Sequence, residues 1–77
     1  MERIVTLADV PSGFRCRVVS IEAGLGLKTR LLQMGLTPGS EVMVIENYWN
    51  RIVIEVRGST IALSRGMARK IMVSIIT

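Results

Sequence analysis

The side chains able to do chemistry are few in this chain and poorly grouped. Its 77 residues include no histidine and a single cysteine, Cys16. A reactive cysteine is a thiolate, and near neutral pH it needs a neighbouring base or cation. Cys16 instead alternates with Val18 along a short run, so it reads as a small buried hydrophobe. A structural zinc site needs four ligands, mostly cysteine and histidine. The carboxylates Asp9, Glu22, Glu41, Glu46 and Glu55 are scattered, without calcium-loop or Glu-x-x-His spacing. The usual general bases and nucleophile pairs are missing as well. The sequence therefore predicts no catalytic residue, no metal ligand set and no cofactor, and a protein that is not an enzyme.

One segment imitates a phosphate cradle. Glu22-Ala-Gly-Leu-Gly-Leu-Lys-Thr29 is glycine-rich and ends in Lys28-Thr29. A P-loop needs Gly-x-x-x-x-Gly-Lys-Ser/Thr so that successive backbone N–H groups wrap the phosphates. Leu27 stands where the glycine must precede the lysine, and the loop is too short. The dinucleotide fingerprint fails too, because its third glycine is Thr29. The segment reads as a flexible connection into a helix.

Binding chemistry is better supplied. The formal charge is +4 and the pI about 10.2, from basic residues that are dispersed rather than blocked. Arg15 and Arg17 share one strand face, opposite Cys16 and Val18. Tyr48-Trp49, flanked by Asn47 and Asn50, is the most notable aromatic pair. It suits a contact hot spot, since Trp and Tyr dominate such sites. The alternative is that Trp49 folds back as a lid over the molecule. Tyr48, Trp49, Arg15 and Arg17 are the candidate partner contacts. A basic pI admits nucleic acid as a rival partner. Single-strand binders, however, stack bases on aromatics. Here only Phe14, Tyr48 and Trp49 are available, and Phe14 reads as core. Capture of Pro-rich peptides needs an aromatic-lined groove, which the same pair makes poorly.

Hydrophobic residues make up 49% of the chain, and mean hydropathy is +0.46. A chain this small buries only about 60% of its unfolded surface. Some of Val19, Met43, Val53, Met72 and Ile76 are therefore expected at the surface, which suggests a partner or self-association. No apolar run reaches the roughly 18 residues of a membrane span, and Met1-Glu2-Arg3 is unlike a leader. One domain over residues 1–77 and a cytoplasmic location are expected.

The elements that must position these residues are short. Thr6 and Asp9 have capping-box spacing, with Val5 and Val10 able to staple across it. Residues 14–22 read as a strand with a register slip that turns Ile21 inward. Residues 27–34 read as a helix with Leu27, Leu31 and Met34 as its buried stripe. Strands follow at 41–47, 51–57, 60–63 and 71–75, with Gly58-Ser59 as a turn and Ser64 capping a helical turn over 65–70. Such a series of about five short strands predicts a small antiparallel barrel.

The densest local code is Arg30-Leu-Leu-Gln-Met-Gly-Leu-Thr-Pro-Gly-Ser-Glu-Val42. Gly35 suits the left-handed position after a helix, and Leu36 the apolar position that packs back on Leu31. Thr37-Pro38-Gly39-Ser40 fits a type II turn.

These residues also carry a resemblance. Leu7-Ala-Asp-Val10, Gly13, Gly24 and Gly26, Arg30 to Gly39, Glu41-Val-Met-Val44, Arg57-Gly58, Ile61-Ala-Leu63 and Ala68-x-x-Ile71-x-Val73 together resemble the ferrous iron transport protein A (FeoA) family. The specific core is Met34-Gly-Leu-x-Pro-Gly39. The resemblance implies an SH3-like barrel. It implies an accessory of ferrous iron transport that docks on a membrane transporter with a GTP-binding domain. It also implies a relationship to the C-terminal domain of metal-dependent repressors. A transition-metal association is commonly assigned to the family.

Overall fold

The computed structural model describes residues 3–76, so the opening Met1-Glu2 and the last residue of the expected 1–77 domain lie outside it. Period-two alternation builds the strands. In β2, Arg15–Ile21, the outward arginines alternate with buried Cys16 and Val18. β3 (Glu41–Asn47), β4 (Arg51–Val56), β5 (Ser59–Ser64) and β6 (Ile71–Ile75) follow.

Among the described residues the strands number six, one more than the sequence marks. The unexpected one is β1, Ile4–Thr6, which pairs antiparallel with β6 from Ile4↔Ser74 to Thr6↔Met72. Three residues are too few to show alternation, and this strand exists because β6 supplies its ladder. The sheet order is β1-β6-β2-β3-β4-β5. Immediately past β5, Arg65 Nη2 donates to the carbonyl of Ala8, just past β1, at 3.0 Å. The two outer strands are thus drawn together at one end, and the sheet curls into a small barrel. Leu7, Val18, Leu31, Leu36, Val44, Ile52, Ile54, Leu63, Ile71 and Val73 fill it, almost wholly buried.

Two bulges set the outward residues. Between Val18 and Ser20 the β2–β6 register shifts. Val19 is exposed there, while Ile21 returns to the core as the sequence predicts. A second bulge in β3, between Val44 and Glu46, leaves Ile45 exposed. Ile76 is also exposed, and Met43, Val53 and Met72 are half-buried. Phe14, expected in the core, is 41% exposed. It precedes β2, and Val44 N–H donates to its carbonyl at 3.0 Å.

The helix α1 spans Leu25–Gln33, beginning two residues before the expected start, because extended Gly24 serves as its N-cap. Only Leu31 of its stripe is buried; Leu27 is half-buried and Met34 is 37% exposed. Met34 is the C-cap, so Leu36 takes the core position instead. The N–H of Leu36 donates to Leu31 O and that of Gly35 to Leu32 O, each at 3.0 Å, with Gly35 at φ +94. That is the Schellman pattern, and both leucines of its apolar contact are buried. Ser40 N–H then donates to Thr37 O at 2.9 Å across Gly39, φ +93. The turn extends the sheet, since Gly39 N–H donates to Val18 O and Val18 N–H to Ser40 O.

Other local signals are adjusted. Thr6 Oγ1 donates to Asp9 Oδ2 at 2.9 Å, side chain to side chain, and no side-chain cap reaches the backbone. The segment is accordingly one 3-10 turn, Leu7–Asp9. The β4–β5 turn is Arg57-Gly58 rather than Gly58-Ser59, with φ +53 and +78 as a two-residue type I′ hairpin requires. Ser64 Oγ accepts from Met67 N–H at 3.2 Å and caps α2, Arg65–Ala68, which stops short of the expected Lys70.

Candidate partner-docking site

The β3–β4 hairpin is closed by Tyr48 N–H donating to Arg51 O at 2.9 Å. At its tip Trp49 is 86% exposed, and Tyr48 is 41% exposed. Trp49 is therefore no lid; it stands off the barrel. The Arg51 guanidinium lies over the Tyr48 ring, 4.8 Å from its centroid. One face of Tyr48 is thus occupied, which leaves Trp49 as the free aromatic surface.

The hairpin is held from below by a polar clamp. Arg65 Nη1 donates to Asn47 Oδ1 at 2.7 Å and to Tyr48 O at 2.8 Å. Asn47 Nδ2 donates to the carbonyls of Ala8 and Val10 at 3.1 and 2.8 Å. Asn47 N–H donates to Ser12 Oγ at 3.1 Å. A planar guanidinium with fixed donors suits such multi-acceptor bridging better than an ammonium would. The loop presenting Trp49 is therefore preorganised, and a rigid aromatic loses little entropy when it docks. Sequence reasoning missed Arg65 and Asn47 as a pair. Their partners lie up to 57 positions away, and no local spacing announces them.

Arg15 and Arg17 belong to another region. Both project from the outer face of β2, Arg15 opposite Met43 and Arg17 opposite Glu41. Arg17 Nη2 lies 3.4 Å from Glu41 Oε2, both side chains half-exposed. Both arginines pair with the first half of β3, whereas Tyr48 and Trp49 lie in the turn past its far end at Asn47. The arginines and the aromatic pair thus form two patches. Arg15 instead lines a shallow cleft of about 310 Å³ with Glu41, Met43, Glu55 and Arg57. The fold-motif residues Leu31, Met34, Gly35, Leu36, Pro38 and Gly39 lie in α1 and the turn after it. Pro38 and Gly39 line a neighbouring cleft that shares Glu41 and Arg57 with the first.

Among the described residues the donor set does not fit a transition-metal centre. Among the described residues no three cysteine or carboxylate side chains converge. Burial pushes the Cys16 thiol up to about 11, so the thiolate a metal needs is disfavoured. Its Sγ faces Val42 O at 3.7 Å, and Glu41 is engaged by Arg17. Among the described residues no helix is long and apolar enough to cross a membrane.

With the geometry in place, the chain can be set beside known proteins. The FeoA domain model matches residues 5–75. A protein of Methanocaldococcus jannaschii, provisionally designated Fe(2+) transport protein A, is 43% identical over 67 residues, 87% of this chain and 82% of its own. The crystal structure of an iron uptake regulatory protein (FeoA) superposes with a TM-score of 0.91 at 33% identity, covering 96% of this chain and 100% of that one. The zinc complex of Stenotrophomonas maltophilia FeoA, described as a prokaryotic SH3 domain protein, shares the fold at TM-score 0.80 and 23% identity, covering 90% and 88%. A manganese-dependent transcriptional repressor shares it at TM-score 0.88 and 18% identity, this chain spanning 41% of that protein's length. The fold is thus SH3-like, and the chain belongs to the FeoA family of iron-transport proteins.

Proposed function

We propose that the chain is a cytosolic accessory of ferrous iron transport that docks on the cytosolic part of a GTP-binding membrane transporter and biases its nucleotide or gating state. Family membership supports the transport context. The observation that carries docking is Trp49, the most exposed large hydrophobic among the described residues, held on a clamped hairpin. An apolar ring kept in water on a rigid support is what a contact hot spot needs in its free state. In this reading the protein acts through its surface, holds no metal of its own, and iron is the transporter's cargo.

Titration of the cognate transporter's cytosolic domain tests the proposal. Trp49→Ala should weaken binding by 2 kcal/mol or more, roughly thirtyfold, with the melting temperature of the free protein unchanged. Absence of binding to both the cytosolic domain and the full-length transporter would overturn it. The nucleic-acid reading predicts binding to DNA or RNA that falls steeply with salt, which a gel shift at low salt detects.

A further inference from the structure

β5 carries neither proline, charge nor bulge, the sequence devices that normally blunt a sheet edge. Natural edge strands are short, bulged, or interrupted by charge or proline, because unpaired N–H and C=O groups template another strand. The other edge, β1, obeys this with only three residues. β5 has six residues, Ser59-Thr-Ile-Ala-Leu-Ser64, none charged and none proline. It pairs with β4 in unbroken register from Arg51↔Ser64 to Val56↔Ser59 and stands last in the sheet order. A two-residue turn is closed by a hydrogen-bonded pair, here Val56 and Ser59, and such pairs then alternate along the ladder. Ile61 and Leu63 are thus satisfied by β4. The N–H and C=O groups of Thr60 and Ala62 point away from the sheet, and both residues are exposed.

Charge defines what would pair there. Arg57 flanks the start of β5, while Arg51, stacked on Tyr48, and Arg65, held in the clamp, still place two positive charges at its end. Antiparallel pairing with a second copy, Thr60 opposite Ala62, would set Arg57 of each chain against Arg65 of the other. A strand with an uncharged centre and carboxylates at its ends would meet cations at both ends instead. We propose that the free edge of β5 captures an extended, acid-flanked segment of a partner by antiparallel strand addition through Thr60 and Ala62. This goes beyond the Trp49 docking reading, needs no transporter, and shares no readout with it.

A blocked peptide of alternating Thr and Val with two acidic residues at each end serves as the probe, added to the intact protein. Binding should slow amide hydrogen exchange at Thr60 and Ala62 by about tenfold or more and leave Ile61 and Leu63 unchanged. N-methylation of one alternating set of peptide amides should abolish binding, and of the other set leave it intact. Ala62→Pro removes an outward donor without breaking the β4 ladder and should also abolish it. The idea fails if Thr60 and Ala62 gain no protection, or if the two N-methylated sets behave alike. Equal binding of a lysine-ended peptide overturns the acidic specification. Protection that grows with protein concentration alone gives the edge to a second copy and overturns the proposed occupant.

Discussion

Cys16 shows how a residue with chemical potential is spent on packing. In the folded chain its thiol stays protonated to about 11, against 9.0 for the free group, because burial disfavours the thiolate. The native state therefore holds a proton that the unfolded chain releases between those values. Stability from this site is complete below pH 9 and falls as pH rises through the window, by about 1.4 kcal/mol per unit. Chemical denaturation of wild type and Cys16→Ala from pH 8 to 11 should show this decline in wild type and a shallower one in the variant. Cys16 was legible from its alternation with Val18 because strand periodicity is local. Phe14 was not, since its exposure depends on the chain leaving the core just before β2, which its own neighbours do not encode.

At the scale of elements, the segment from α1 into β3 tests how closely two turns depend on each other. Gly35 and Gly39 have nearly equal positive φ, +94 and +93. A Cβ at Gly39 would meet nothing within 4 Å, whereas one at Gly35 would lie 3.2 Å from Arg57 Cδ. Each substitution by alanine should cost about 1–2 kcal/mol for the left-handed backbone. Gly35→Ala should cost more, and the excess should vanish in an Arg57→Ala background, as a double-mutant cycle by urea denaturation would show. The Gly-Leu and Pro-Gly signals were readable because each acts within a few residues. The bulge at Ile45 was not, because past Val44 either register turns a polar residue inward, Glu46 or Asn47, and no apolar residue marks the slip. The β2 bulge announced itself through Ile21, which breaks the alternation. The helix stripe ends before Met34 because the Schellman turn folds Leu36 back over Leu31 and fills that place first.

For the whole molecule, Arg65 matters most. It joins segments 57 positions apart and links the ends of both outer strands to the hairpin that carries Trp49. Arg65→Lys keeps the charge but cannot reach three acceptors in one plane. It should lower stability by about 1–3 kcal/mol. It should also weaken docking of the transporter domain, because Trp49 then swings on a looser support. Thermal unfolding and the same binding titration check both effects. The barrel itself was foreseeable from short alternating runs, whereas its closure rests on long-range partners that appear only once β1 and β5 occupy opposite ends of the sheet.

The pairing of β1 with β6 has a mechanical consequence. Ile4 lies across from Ser74, so force applied at Ile4 and Ile76 acts on one end of a single antiparallel pair. Such a load peels the strands apart rung by rung instead of shearing all the rungs at once. The chain is therefore soft to tension between these two points, with the β1–β6 rungs and the Ile76 N–H to Arg15 O bond loaded first and the β3–β4 interior last. Attached at either end to something larger, it would hang from one corner, with its hairpin and its free edge left to swing into contact.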